Sequence, residues 1–208
     1  MTQTMLGFTV WFTGLPCSGK STQAQLLAAE LELRGWGVEI LDADASCDAG
    51  DAANQSHRQE SNDEIRRIAY VARLLNKHGA AVIVDSVSAD SKVRNEVRDA
   101  AGKFAEVYVK ATLVTCFQRD KKGMYRKAMA GEIRGFTGID EPYEPPLCPE
   151  LILETETDPP EVCAERMINA LELMGYIECQ SNFAGSKHAT ASIPSVAPAL
   201  AQSSARRT

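Results

Sequence analysis

Short, wholly apolar runs alternate along this chain with longer stretches in which apolar residues recur every three or four positions. Phe8-Thr9-Val10-Trp11-Phe12 is too short for a helix and predicts a buried strand. Val38–Asp42, Ala80–Asp85, Phe104–Val109 and Leu151–Leu153 predict four more strands. Between them, Gln23–Arg34 is rich in Ala, Leu and Glu, and predicts a helix. Ile65–Asn76 places Ile65, Ile68, Ala69, Ala72 and Leu75 on one helical face. Lys92–Ala101 predicts a charged helix and Thr112–Asp120 a short one. Pro160–Met174 predicts a final amphipathic helix with Val162, Met167, Ala170, Leu171 and Met174 turned inward. The polar stretch 45–60 reads as a loop, and 121–147, with its Lys, Arg, Gly and Pro, as a mobile lid. Strands alternating with helices imply an α/β fold, a parallel sheet joined by right-handed crossovers.

The first strand and first helix flank Gly14-Leu15-Pro16-Cys17-Ser18-Gly19-Lys20-Ser21-Thr22, a complete G-x-x-x-x-G-K-[ST] phosphate-binding loop. Backbone N–H groups of such a loop point at phosphate oxygens, and the positive end of the helix dipole faces the same charge. Gly14 and Gly19 permit a close backbone approach. Lys20 is placed to reach the β- and γ-phosphates, and the Ser21 hydroxyl to ligate Mg²⁺. The expected ligand is a nucleoside triphosphate.

Composition narrows the class. The 208 residues suffice for one domain with a substantial core, and a 24% charged share suits a soluble globular chain. A net charge of −6 argues against a general nucleic-acid binder. No signal peptide or membrane span is read, and the expected compartment is the cytoplasm. The six cysteines form no C-x-x-C pair and fit no zinc spacing, so reduced thiols are expected. Cys17 sits near a helix N-terminus that would lower its thiol pKa, but it reads first as a small residue contributing its backbone N–H. The domain is expected to span 1–178. Residues 179–208, rich in Ala, Ser and Pro, read as a disordered tail or linker.

The phosphate loop, Leu41-Asp-Ala-Asp44, Ile65-Arg-Arg67 and the long run from Arg119 to Pro146 together resemble the adenylylsulfate kinase family, over about residues 5–178. The resemblance implies a P-loop kinase fold, doubly wound, with about five strands, helices on both faces and a lid. It implies a Mg²⁺-dependent transfer of the ATP γ-phosphoryl to the 3′-hydroxyl of adenosine 5′-phosphosulfate (APS), giving PAPS in sulfate assimilation. A homodimer is implied, as is a fused or associated ATP sulfurylase. Asp42 and Asp44 stand at the C-terminal end of a strand, where ligands bind in open α/β sheets. Two residues apart, they point the same way and would orient the attacking hydroxyl, accept its proton or hold Mg²⁺ through water. Asp85 reads either as the metal-side carboxylate or as a solvated strand-end residue, since the family usually carries a small residue there. Arg119 and Lys122 match ATP contacts of the family. Gly135, Phe136, Arg66, Arg67, Val87 and Ser88 match its acceptor side, with Phe136 stacking on the APS adenine.

The acceptor side departs from the family pattern. Asp-Gly-Asp-x-x-Arg becomes Asp42-Ala-Asp-Ala-Ser-Cys47, without the Arg. Phe-Ser-x-x-Asp-Arg-x-x-Asn-Ile-Arg-Arg becomes Ser56-His-Arg-Gln-Glu-Ser-Asn-Asp-Glu-Ile-Arg-Arg67, and Ile-Ser-Pro-aromatic-Arg becomes Val87-Ser-Ala-Asp-Ser91. Arg58 lies close in sequence to the missing Arg, and His57 stands beside it. Two alternatives follow: a kinase of the same fold with another nucleotide or sugar acceptor, or a nucleotide-binding regulatory domain of a sulfurylase fusion.

Overall fold

A computed structural model describes residues 6–43 and 55–179, with side chains of the second stretch described from Ser61 onward. Asp44, Cys47 and the expected tail from 180 to 208 lie outside the described residues, as do the side chains of His57 and Arg58.

Five strands form one parallel sheet: β1 (Phe8–Thr13), β2 (Val38–Asp42), β3 (Ala81–Asp85), β4 (Phe104–Lys110) and β5 (Leu151–Glu154). Their order in the sheet is β2-β3-β1-β4-β5. The helices are α1 (Lys20–Leu33), α2 (Gln55–Lys77), α3 (Ser91–Ala101), α4 (Leu113–Arg119), α5 (Met124–Met129) and α6 (Pro160–Leu173).

The period of two along each strand sorts side chains onto two cores. Phe8, Val10 and Phe12 of β1 join Ala81 and Ile83 of β3 against α1 and α6. Trp11, Val82 and Val84 face the other way, against Ile65, Ala69 and Ala72 of α2 and Val93 and Val97 of α3. The sheet is therefore covered on both faces, as a doubly wound fold requires. β2 is an edge strand, and its Ile40 is 42% exposed.

Three readings are corrected. The polar segment expected as loop through residue 60 is helical from Gln55, because α2 carries its apolar stripe only from Ile65 onward. The lid contains the helix α5, which begins after Gly123 at a φ of 70°. In α6 Met167, Leu171 and the half-buried Met174 pack inward as expected, joined by Cys163 and Ile168, while Val162 is 42% exposed.

Candidate active site

The phosphate loop fills the gap between the end of β1 and the start of α1, and its glycines answer specific constraints. A Cβ on Gly14 would lie 2.4 Å from the Val109 carbonyl oxygen. Gly19 caps α1 at a φ of 107°, left-handed backbone that side chains disfavour. Cys17 adopts a φ of 62° without being glycine, which marks local backbone strain in the loop. The Ser18 N–H donates to the Leu15 carbonyl at 3.1 Å, closing the turn. Lys20 is 5% exposed, and its Nζ donates to the carbonyls of Gly14 (3.3 Å) and Leu15 (3.2 Å). The ammonium is thus folded over the loop rather than released to solvent. The N-cap of α1 is Gly19, which has no side chain to cap the helix. The Ser18 hydroxyl is buried with no hydrogen-bond partner among the described residues. The N-terminal end of α1 and the Lys20 ammonium bring donors and positive charge to one place, the arrangement of an anion site.

Parallel pairing of β2 with β3 sets Asp42 beside Asp85 at the sheet's C-terminal edge. Asp85 is 4% exposed, which removes the solvated strand-end reading. Burial raises its pKa above the usual carboxylate range; the Lys20 charge and a hydrogen bond with Ser21 oppose this, and the Asp42 charge adds to it. Its Oδ1 has no partner among the described residues. Ser21 and the two carboxylates offer oxygen donors of the hard kind that Mg²⁺ takes, and the orphaned Oδ1 is a buried acceptor that such a cation would satisfy. These residues fit the metal.

On the nucleotide side, Arg119 donates to the Ser18 carbonyl (3.3 Å) and to the Oγ1 (3.1 Å) and carbonyl (2.6 Å) of Thr155. The Thr155 hydroxyl itself donates to the Ser18 carbonyl at 2.7 Å. Arg119 therefore braces the phosphate loop against the turn after β5. Lys122 is exposed, yet close enough to Cys17 to draw its thiol pKa down. Burial and Asp120 prevail, and the Cys17 thiol is raised.

The lid is anchored on the loop. Tyr125 is fully buried, and its hydroxyl donates to the Pro16 carbonyl at 2.8 Å. Phe136 is half-buried and meets Tyr125 edge-on, with ring centroids 4.8 Å apart. The Gly135 N–H donates to Asp140 at 2.7 Å, holding the turn that carries Phe136. Further on, the Thr13 hydroxyl donates to the Val87 carbonyl (2.8 Å), which leaves it to accept from the Tyr143 hydroxyl (3.0 Å). The end of β1, the β3–α3 loop and the segment returning from the lid are thereby joined.

The expected acceptor residues do not all face this centre. Ser88 is buried at a φ of 43°; its hydroxyl accepts from the Trp11 indole (3.1 Å) and donates to Ser86 (2.6 Å). That hydroxyl is used within the chain, which leaves the backbone of Ser88 for any contact with an acceptor. Arg66 is exposed and pairs with Asp63 and with Glu96 of α3, each at 2.9 Å. Arg67 is exposed and pairs with Glu64 at 3.4 Å. Both guanidinium groups are held by carboxylates on the α2–α3 surface. Sequence reading did not single out Tyr125, Thr155 or Tyr143. Tyr125 lies inside the quoted lid run, and an aromatic in a Lys-, Arg- and Gly-rich segment was the available signal.

Comparison with known proteins agrees with this geometry. The profile of the adenylylsulphate kinase family matches residues 6–154. The adenylyl-sulfate kinase of Microcystis aeruginosa is 42% identical over 171 residues, which is 82% of this chain and 94% of that one. A probable bifunctional SAT/APS kinase of Sorangium cellulosum is 40% identical over 83% of this chain and 30% of its own length. Among solved structures, the Mycobacterium tuberculosis APS kinase in complex with AMPPNP and APS is 38% identical, covers 80% of this chain and 98% of its own, and superposes with a TM-score of 0.71. With a phosphate loop, paired strand-end carboxylates and a lid in one parallel sheet, this chain belongs to the adenylylsulfate kinase family.

Proposed function

We propose that this chain transfers the γ-phosphoryl of ATP to the 3′-hydroxyl of APS, producing PAPS and ADP. The observation that carries the reading is the convergence of Lys20, Ser21, Asp42 and Asp85 at the mouth of the phosphate loop, in a chain of this family. Phosphoryl transfer needs positioning and charge neutralisation more than covalent help from the protein. The loop residues Gly14, Leu15, Pro16, Cys17, Ser18 and Gly19 would cradle the β-phosphate, with Thr22 following in α1. Lys20 would exchange its two carbonyl acceptors for phosphate oxygens. Asp42, exposed at the sheet edge, would accept or orient the proton of the attacking hydroxyl, together with Asp44. Ser21 and Asp85 would hold Mg²⁺, which when bound neutralises charge on the transferring phosphate. Arg119 and Lys122 would border ATP. Phe136 and Gly135 would face the acceptor base, and the backbone of Val87 and Ser88 the acceptor's other side. Arg66 and Arg67 would reach the acceptor only by leaving their carboxylate partners.

Among the described residues no helix is long and apolar enough to cross a membrane, and a cytoplasmic site of action is part of the proposal. A homodimer and a fused or associated sulfurylase are part of the proposal; the bifunctional relative supports the latter. Lys20→Ala tests the assignment: turnover is expected to vanish while the melting profile stays cooperative. Wild-type activity in that variant would overturn it.

A further inference from the structure

A buried arginine lies outside the residues assigned so far. Arg94 of α3 is 2% exposed. Its Nε donates to Glu106 of β4 at 2.8 Å, and Glu106 is 4% exposed. Its two terminal nitrogens donate to backbone carbonyls, Ser88 at 2.5 Å and Glu144 at 2.6 Å. Those carbonyls belong to different walls. Ser88 stands in the β3–α3 loop, held at a φ of 43°. Glu144 stands on the segment returning from the lid. The same two segments meet again where the Glu144 N–H donates to the Ala89 carbonyl (3.1 Å) and the Glu144 carboxylate accepts from the Ser91 N–H (3.1 Å) and hydroxyl (2.5 Å). The planar fork of a guanidinium fixes three directions at once, which a lysine does not. A buried ion pair of this kind is weak evidence for stability and better explained by the geometry it enforces.

We infer that Arg94 is a positioning residue for the acceptor, oriented by Glu106 so that the Ser88 loop and the Glu144 strap hold one fixed separation. The inference rests on the acceptor reading above, since these two walls flank the proposed APS side. The side-chain bonds of Arg94 go to Glu106, Ser88 and Glu144 and to no residue of the phosphate loop, so its loss is expected to act on the acceptor before ATP.

The test uses the full chain and four proteins: wild type, Arg94→Lys, Arg94→Met, and the double variant Arg94→Met with Glu106→Met. The double variant removes both buried charges together, which preserves folding better than stranding one of them, and Arg98, the other partner of Glu106, keeps Glu150. PAPS formation is measured with each substrate varied, alongside melting temperature. The expected result is a rise in KM for APS of about tenfold or more in the Lys variant and the double variant, the scale of losing charge-assisted hydrogen bonds. KM for ATP should stay within about twofold of wild type, since none of the lost bonds involves a phosphate-loop residue or Arg119. An unchanged KM for APS in either folded variant would overturn the inference. So would an equal rise in both KM values tracking a fall in melting temperature, which is what a merely structural role would give. Failure of the wild type to make PAPS would overturn the acceptor reading itself, and this inference with it.

Discussion

Removing one oxygen from the lid should loosen the phosphate loop. In Tyr125→Phe the ring stays, so the edge-on contact with Phe136 at 4.8 Å and the packing against Phe117 survive. The 2.8 Å hydrogen bond to the Pro16 carbonyl is lost. Burial raises the Tyr125 hydroxyl pKa, so it is protonated and a donor at neutral pH. A net hydrogen bond contributes about 1 kcal/mol, and a carbonyl left dry costs about 1–3 kcal/mol. For a chain of this length, each kcal/mol lowers the melting temperature by about 2–4 °C. Because Pro16 belongs to the loop that would hold the β-phosphate, about 1 kcal/mol also appears as a roughly fivefold weaker affinity for ADP. Tyr125→Ala removes the ring as well and should cost about 3–5 kcal/mol. Thermal melts with and without ADP, and calorimetric titration of ADP, read both effects. Tyr125→Phe with wild-type melting and wild-type ADP affinity would refute the claim that the lid is anchored through this bond.

Three further outcomes are expected. Asp85→Ser should weaken Mn²⁺ binding in the presence of ADP by about tenfold or more, read by electron paramagnetic resonance; unchanged Mn²⁺ affinity would remove Asp85 from the metal site. Gly14→Ala should destabilise the fold by about 1–3 kcal/mol, since its Cβ would meet the Val109 carbonyl oxygen at 2.4 Å, and a denaturant midpoint equal to wild type would contradict this. The Glu156 carboxylate accepts hydrogen bonds from the side chain and N–H of Thr112, which lower its pKa to about 2. A lowered carboxylate supports the fold above its unfolded pKa and loses that support as pH falls through the folded value. Carbon-detected NMR should therefore place its titration near 2, and a midpoint above 4 would show that the hydrogen bonds from Thr112 to Glu156 do not form.

Much of this was legible because local and global signals agree. The five strands stood out as short apolar runs, and the loop Gly14–Thr22 carries its chemistry in consecutive residues. Asp42 and Asp85 are far apart in sequence, and only strand order sets them side by side; parallel topology predicts the shared edge but not which strands are neighbours. Arg94 was read as part of a charged helix, although it follows Val93 and sits three residues before Val97 on the apolar side. A charge on an apolar face signals a buried partner, yet Glu106 sits in a separate strand and no periodicity links the two. Likewise α2 begins ten residues before its apolar stripe, so its first turns read as loop. The Arg66 and Arg67 motif is intact in sequence, but the carboxylates that hold the two arginines, Asp63, Glu64 and Glu96, act through helix geometry and packing against α3.

The departures at Cys47, Ser61, Glu64 and Ser91 remove cationic or polar groups that the family places near its acceptor, so the identity of the acceptor is the central claim. The measurement that tests it most directly is incubation with Mg·ATP and APS, with nucleotides separated and quantified and an APS-free control. The account predicts PAPS and ADP in equal amounts, both dependent on APS and both lost in Lys20→Ala. ADP released without PAPS, or ATP bound with no product, would contradict it.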